Sequence, residues 1–310
     1  NELKKGSGKP IPHFDRSSIS LILKEAQRRS GRRGKLSLRL RELGGLVRIA
    51  GDLAAEEGAE LTRAEHVTRA RMIAKPLEQQ VADRHLERQA EYAMLVNRGN
   101  RVGRVNGLAV LGADSGLSDY SGVVLPVEAM VTPAQGMSGR VIATGGLSDL
   151  ANESVTNISA VVKKLTGKDI KDYDLHVQFP GTHNVDGDSA SITMATAIIS
   201  AFEGVPIEQN LAMTGSLSVR GEILPVGGVT AKIEAAAKSG IEKVVIPRSN
   251  LQDVLMDEKW EKEVEVLPVD SLDEVLEHAL VGAEEKVSLV ERLAKVIDTI
   301  SKGTDTQPSA

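Results

Sequence analysis

The sequence predicts a mixed α/β protein in which a small helical domain precedes a larger domain of strands and helices. In the first third of its 310 residues, apolar side chains recur at helical spacing. Residues 102–131 are rich in Gly, Val and Leu around a polar loop, which is typical of a β-hairpin. From residue 148 to 280, strand-like and helical stretches alternate, which indicates some parallel pairing. The length suits about two domains.

The first third of the chain is expected to hold four helices. Apolar residues such as Ile19, Ile22 and Leu23 follow intervals of three and four, which places them on one helix face. The expected helix starts are Ser17 or Ser18, Ser37, Thr62 paired with Glu65 in a capping box, and Pro76. The fourth helix is expected to run to about residue 95. Gly31 and Gly58 are typical end points for the first two.

The remaining elements make up the predicted α/β domain. One hairpin is expected over 102–131 with its loop at 112–122, and another over 211–224 with a turn near Arg220 and Gly221. Further strands are predicted at 175–179, 243–246 and 264–268, and helices at 148–165, 191–202, 230–239, 251–255 and 271–280. Ser271 and Glu274 are expected to form a capping box. The polar tail 301–310 is expected to be loose.

Composition argues against several classes of function. The sequence has no cysteine, which excludes disulfides, cysteine catalysis and thiolate metal sites. A net charge of −5 and an aromatic content of 2% argue against general attraction to nucleic acid and against base stacking. Neither an H-E-x-x-H nor a G-x-S-x-G motif is present, so no metal site and no α/β-hydrolase nucleophile are predicted.

The stretch DGDSAS, residues 186–191, contains a candidate nucleophile, Ser189. This serine directly precedes the apolar run 192–202, so one interpretation is that it caps a helix. The other interpretation is catalytic. A helix start directs backbone N–H groups and the positive end of a dipole at a site where an oxyanion would be stabilised. These residues alone leave both interpretations open.

A serine nucleophile needs a base, and Lys232 in GGVTAKIEAAAKSG (227–240) is the candidate. It lies among small and apolar residues in the first turn of a predicted helix, where the helix dipole opposes its charge. Burial there would lower its pKa from that of a free lysine, as a general base requires. The alternative is a lysine whose stem covers the sheet while its ammonium group reaches water.

Histidine remains an alternative base. His176 and His183 precede Ser189 and are near enough in sequence to line its cleft, so counting residues does not exclude them. The other four histidines fall on segments that resemble solvated helix or linker, and they are expected at the surface: His13, His66, His85 and His278.

Together, DGDSAS, TGSLSVRGEILPVGG and VTAKIEAAAKSGIEKVVIP resemble the proteolytic domain of the Lon family over about residues 101–280. The acids on both sides of the glycine make the serine motif similar to that of the archaeal, membrane-anchored branch, LonB. The resemblance implies a Ser–Lys dyad without histidine. Ser189 is then the nucleophile and Lys232, 43 residues later, is the base. The hydroxyl of Thr214 is implied to contact the lysine.

Asp186 and Asp188 are implied by the same resemblance to lie close to the dyad, although roles in a cap or turn would also account for them. A carboxylate beside Lys232 would raise the pKa of the lysine and keep it charged, which opposes base catalysis. We therefore expect such a contact to mark a resting state that is relieved on assembly or substrate entry.

The helical third resembles the lid, the last helical subdomain of an AAA+ ATPase module. In SLRLRELGGLVRIAGDLA (37–54), the resemblance places Arg41 where such modules keep an arginine that reaches the ATP phosphates. A solvated surface charge is the alternative. We therefore predict a lid with a connecting helix at 1–97, a proteolytic domain at 98–300 and a flexible tail at 301–310.

The implied function is that of a serine endopeptidase, the peptidase portion of an ATP-dependent Lon-like protease that degrades unfolded or damaged proteins. A homohexamer is expected, with peptide substrate lying extended beside residues 127–132. No Walker motif is present, so this segment is expected to need no cofactor, and ATP and Mg are expected for the full-length protein. The segment is expected to be soluble, at the cytoplasmic face of a membrane-anchored parent.

Two other functions stay open. One is a non-catalytic scaffold that organises a ring. The other is a nucleic-acid adaptor that would use the seven basic residues from Arg28 to Arg41, with DNA as a secondary partner.

Overall fold

The computed structural model describes residues 11–75, 77–92, 95–111, 121–134, 139–144, 158, 160–163, 172–180 and 189–302. Its first part is the predicted helical region. This part contains α1 (Arg16–Ser30), α2 (Leu40–Glu56), α3 (Ala64–Ile73) and α4 (Leu77–Glu91), with a short parallel pair formed by β1 (His13–Phe14) and β2 (Leu61–Thr62). Leu46 and Ala50 of α2 and Val67 and Ala70 of α3 form its buried apolar cluster.

The caps of these helices differ from the predicted ones. Asp15 caps α1, because its carboxylate accepts a hydrogen bond from the backbone N–H of Ser18 at 2.8 Å. Helix α2 begins at Leu40, without a side-chain cap, so Ser37 is not its cap. The predictions of serine caps at both helices were therefore wrong: Asp15 is the N-cap of α1 and Arg39 that of α2, while Ser37 Oγ accepts from the backbone N–H of Arg39 at 3.3 Å.

The predicted Thr62–Glu65 capping box is also wrong. The backbone N–H of Arg63 donates to Nδ1 of His66 at 2.8 Å, so the imidazole fills the position expected for Glu65. His66 is only 1% exposed, and its Nε2 lies 3.1 Å from Oε2 of Glu57. Its predicted surface position is therefore wrong, whereas His13 and His278 are exposed as expected. His85 is half-buried, and this burial lowers its pKa.

A mixed seven-stranded sheet forms the second part, in the order β13-β12-β9-β4-β5-β7-β6. Its strands are β4 (Arg104–Leu111), β5 (Ser121–Pro133), β6 (Val141–Thr144), β7 (Tyr173–Gln178), β9 (Leu211–Met213), β12 (Lys243–Pro247) and β13 (Glu265–Val269). Two antiparallel pairs flank it: β3 (Asn100–Arg101) with β8 (Ile207–Glu208), and β10 (Ser216–Leu217) with β11 (Ile223–Leu224). Strands β4, β9, β12 and β13 run parallel.

The two main helices of this part cover opposite faces of the sheet. Helix α5 (Ser191–Glu203) packs in the cluster that contains Val123 and Leu125 of β5. Helix α6 (Val229–Lys238) packs in the cluster that contains Val124. Neighbouring residues of a strand point to opposite faces, so the alternation along β5 separates the two helices. Within the described residues 258–302 there are three further helices: α7 (Glu258–Glu261), α8 (Leu272–Ala279) and α9 (Ala283–Lys302).

Most predicted elements of this part are confirmed, with local differences. Strands β4 and β5 form the first hairpin, but residues 112–120 of its loop lie outside the described residues. The second hairpin is shorter than predicted: β10 and β11 turn at Gly221, whose φ is 94°, while β9 joins the central sheet. A 3₁₀ helix, Arg248–Asp253, replaces the predicted helix at 251–255.

Other differences concern helices. Of the predicted helix at 148–165, the described residues 158 and 160–163 are helical. Ser271 is the N-cap of α8 but makes no side-chain cap bond, and Glu274 accepts instead from the backbone N–H of Asp270 at 3.0 Å. No helix within the described ranges is long and apolar enough to cross a membrane.

Candidate active site

Ser189 lies in a turn immediately before α5. The N-cap of this helix is Ala190, which makes no side-chain cap bond, so the capping interpretation of Ser189 is not supported. Ser189 is half-buried, whereas every residue from 191 to 200 is buried. The helix is thus buried on all sides within the core, and it holds the serine at the edge of that core.

Thr214 connects the serine turn to the central sheet. Its hydroxyl donates to the backbone carbonyl of Ser189 at 3.2 Å, and the N–H of Gly215 donates to the same carbonyl at 3.0 Å. The backbone N–H of Thr214 donates to the carbonyl of Val245 in β12 at 3.1 Å. Ser191 adds another contact, because its Oγ accepts from the N–H of Leu217 at 2.7 Å. The turn therefore has a fixed position relative to β12.

Lys232 is 1% exposed and occupies the first turn of α6. Its Nζ donates to Oγ1 of Thr214 at 3.0 Å. The helix begins at Gly228, which has a left-handed φ of 68°, and the N–H of Lys232 donates to the carbonyl of Gly228 at 3.0 Å. The alternative of a lysine with its ammonium in water is therefore wrong. Ser189, Thr214 and Lys232 form one connected group.

The other predicted site residues lie elsewhere or outside the described residues. His176 is exposed on β7, where it pairs in register with Met130. His183, Asp186 and Asp188 fall outside the described residues, so their predicted proximity to the dyad remains a prediction. Arg41 is exposed in the first turn of α2. Within the described ranges, no group of three or more His, Cys, Asp or Glu side chains is arranged to hold a metal ion.

A charged cluster joins the helical region to α6. Glu25 of α1 is 3% exposed and pairs with three arginines: Arg28, Arg29 and Arg71. Burial alone would raise the pKa of Glu25, but the arginines outweigh it and hold that pKa at about 2. Arg28 also lies 3.6 Å from Glu234 of α6, whose pKa is raised by burial.

A cavity of about 290 Å³ lies beside this cluster, between α1, α4 and α6. Its lining includes Arg28, Asp83, Gly122 and Glu234, but not Ser189, Thr214 or Lys232. The cavity is therefore separate from the candidate active site.

Sequence reasoning did not identify three residues that shape this region. Ser191 anchors β10 to the start of α5. Glu234 lies two positions after Lys232. An acidic residue within the Ala-rich stretch KIEAAAK could have indicated a buried carboxylate with a basic partner. Gly122, at the end of the loop predicted at 112–122, lies against α6. In the sequence, the glycine at the end of this polar loop was the one feature that could have indicated such a close contact.

Comparison with known proteins agrees with this arrangement. A family model described as the Lon protease (S16) C-terminal proteolytic domain matches residues 79–282. A second, described as the archaeal LonB AAA+ ATPase LID domain, matches residues 13–72. The domain boundary predicted between residues 97 and 98 remains a prediction.

Several curated proteins, each named Archaeal Lon protease, are similar to the chain. The protein of Thermoplasma acidophilum is 54% identical over 292 residues, which are 94% of this chain and 44% of the relative. That of Archaeoglobus fulgidus is 54% identical over 92% of this chain and 45% of the relative. That of Methanocaldococcus jannaschii is 31% identical over 82% of this chain and 43% of the relative. The chain thus spans less than half the length of these relatives. With more than half of its residues matched to the proteolytic domain, the chain belongs to the Lon protease family.

Proposed function

We propose that Ser189 and Lys232 form a Ser–Lys dyad and that the chain is a serine endopeptidase. The observation that carries this proposal is the position of the Lys232 amine. It is buried, and it donates to a threonine hydroxyl that in turn donates to the carbonyl of Ser189. A buried amine loses its proton more readily than a solvated one, because desolvation disfavours the ammonium form.

In the proposed reaction, the neutral amine of Lys232 takes the proton of the Ser189 hydroxyl as Oγ attacks the scissile carbonyl. The lysine ammonium then gives that proton to the leaving amine, and an acyl-enzyme ester remains on Ser189. In the second half, Lys232 takes a proton from water, whose oxygen attacks the ester. Collapse of this second intermediate releases the carboxylic acid, and the serine oxygen recovers its proton from Lys232.

In both halves of the reaction, the negative charge that develops on the attacked carbonyl oxygen needs hydrogen-bond donors. Backbone N–H groups at the start of α5 are proposed to supply them, aided by the positive end of the helix dipole. Substrate is proposed to lie extended along β5 near residues 127–132. In this segment Met130 is 64% exposed. Strand β7 pairs with one side of the segment from Glu128 onwards, and β4 pairs in register with the other side up to Glu128.

The function of the whole protein is also a proposal. By similarity to its relatives, we propose that the chain works as part of a longer ATP-dependent protease that degrades unfolded or damaged proteins as a homohexamer anchored at the membrane. ATP and Mg would then act through other parts of that protein, with Arg41 reaching the phosphates. We further propose that Asp186 or Asp188 holds the lysine charged in a resting state.

The dyad is tested by cleavage of a short fluorogenic peptide and by labelling with a fluorophosphonate, which reacts with activated serines. Ser189→Ala is expected to abolish both cleavage and labelling. Lys232→Ala and Lys232→Arg are expected to abolish cleavage, because arginine does not deprotonate in proteins. Lys238→Arg is a matched control: this lysine is on the same helix but is exposed and paired with Asp83.

Near-normal cleavage by Lys232→Arg would overturn the assignment of Lys232 as the base. His183 and His176 would then be the next candidates for the base. A wild-type chain that neither cleaves the peptide nor reacts with the fluorophosphonate would favour the scaffold function instead.

A further inference from the structure

Strand β5 and helix α6 come into direct backbone contact at Gly122. A Cβ atom built on this glycine would lie far inside van der Waals contact with the carbonyl oxygen of Ala231. It would also lie 2.5 Å from the carbonyl carbon of Ala231 and 2.9 Å from the backbone nitrogen of Lys232. The peptide unit that leads into Lys232 therefore rests on the Cα atom of Gly122.

The backbone of Gly122 does not itself require glycine. Its φ is outside the left-handed region, and it pairs in register with Val110 as an ordinary strand residue. The three atoms nearest to the added Cβ all belong to the helix backbone, which cannot rotate away as a side chain would. Only the close approach of α6 therefore excludes a larger residue.

The position of α6 sets the position of the Lys232 amine. Lys232 is in the first turn, where its N–H makes the first hydrogen bond of the helix, and its side chain leads directly to Thr214 at 3.0 Å. A methyl group at residue 122 would have to push this turn away by about 1 Å to reach a normal contact distance. Such a shift is enough to break a hydrogen bond of 3.0 Å.

We propose that Gly122 is a positioning residue that fixes the distance of the Lys232 amine from Thr214 and the Ser189 turn. This inference rests on the proposed role of Lys232 as the base. Gly122 itself touches neither substrate nor the reacting atoms. It acts through the backbone of α6, so its replacement should change the chemical step and leave substrate binding largely intact.

The test is Gly122→Ala, with peptide cleavage measured over a range of pH. Because a misplacement of 1 Å can cost about 10²-fold in rate, kcat is expected to fall by about that factor while KM stays within a few-fold. The pH at which kcat reaches half its maximum is expected to move, since the lysine changes its neighbours. If the variant only contained less folded protein, the measured rate would fall by the same factor at every pH, and this midpoint would stay unchanged.

Gly51→Ala is the matched control. A Cβ atom there would also clash, with the side chain of Ile11, and Gly51 likewise has no left-handed φ, but it lies buried in α2 of the lid. Its kcat per folded molecule and its pH midpoint are expected to match the wild type. A Gly122→Ala variant with normal kcat and midpoint would overturn the proposal, as would equal kinetic losses in both variants.

If Gly122→Ala yields too little folded protein, the double variant with Ala231→Gly is measured against Ala231→Gly alone. The added glycine lets the first turn bend away from the new methyl group. A decrease in kcat with a moved pH midpoint supports the proposal, and unchanged values overturn it. If Lys232→Arg is inactive and Gly122→Ala has normal kinetics, only the positioning role of Gly122 is rejected. If Lys232→Arg is active, the proposed dyad itself is rejected.

Discussion

The lid and the proteolytic domain bury charged groups in different ways. In the lid, Glu25 is 3% exposed and is surrounded by the guanidinium groups of Arg28, Arg29 and Arg71. In the proteolytic domain, Lys232 is 1% exposed and donates to the neutral hydroxyl of Thr214. A buried carboxylate with three cations has a fixed charge. A hydroxyl partner does not by itself fix the charge of an amine, and a base needs a group whose charge can change.

The largest expected effect is on the stability of the lid. Glu25→Gln keeps the shape of the side chain but leaves three arginines without their common anion, so the lid is expected to lose about 3 kcal/mol of stability. Hydrogen exchange of the amides of α1 and α3 measures this loss locally. Glu42→Gln is the control, because the side chain of Glu42, another partner of Arg29, is 38% exposed, and its replacement should change stability by less than about 1 kcal/mol. Equal losses in both variants would contradict the central role of Glu25.

Acid should produce a similar effect in the unmodified chain. The pKa of Glu25 is about 2 in the folded state against 4.5 for the free group. A depressed folded pKa contributes stability that is fully present above pH 4.5 and is lost as the pH falls towards 2, up to about 3 kcal/mol. Urea unfolding of the lid at several pH values measures the loss. The wild-type curve should converge on that of Glu25→Gln at low pH, and parallel curves would contradict this assignment.

In the proteolytic domain, the expected effect is on rate. Thr214→Val keeps the volume but removes the hydroxyl that accepts from Lys232 and donates to the carbonyl of Ser189, so peptide cleavage should fall about 10- to 100-fold. Thr214→Ser keeps the hydroxyl and should retain most of the activity. Steady-state peptide cleavage distinguishes the two variants, and a fully active Thr214→Val would show that this contact is dispensable.

The smallest expected effect is a gain in stability. Gly45 lies inside α2 on an exposed face, and a Cβ atom there meets nothing within 4 Å. Gly45→Ala should therefore stabilise α2 by about 0.5–1 kcal/mol. Hydrogen exchange in α2 measures the gain, and the rate of peptide cleavage should not change. A slower rate would show that a change in α2 affects the active site, and therefore that the lid is coupled to this site by more than the ion pairs of Arg28.

The sequence was informative about element types and about which residues meet at the candidate active site. Apolar spacing located α1, α2, α5 and α6, and the motifs around Ser189, Thr214 and Lys232 identified residues that the fold brings together. The apolar setting of Lys232 left two interpretations open, a buried amine and an ammonium group that reaches water, and the structure shows the buried one. These features are local, since each depends on a short stretch of sequence.

Other features depend on contacts between distant residues. Asp15 rather than a serine caps α1, and His66 rather than Glu65 completes the start of α3, because several polar residues compete for each position. The burial of Glu25 depends on Arg71, which is 46 positions away. The contact of Gly122 with α6 joins residues more than 100 positions apart, and periodicity in sequence carries no information about it.

The hydrogen bonds around Thr214 have a direction. The carbonyl oxygen of Ser189 can only accept, so the single hydroxyl proton of Thr214 is committed to it, and only oxygen lone pairs remain to face Lys232. The lysine must therefore donate to Thr214 whether it is charged or neutral. A neutral amine has two N–H groups and one lone pair, and the threonine occupies one N–H without consuming the lone pair. Thr214 thereby turns the basic side of the amine away from itself, towards whichever hydroxyl approaches from another direction.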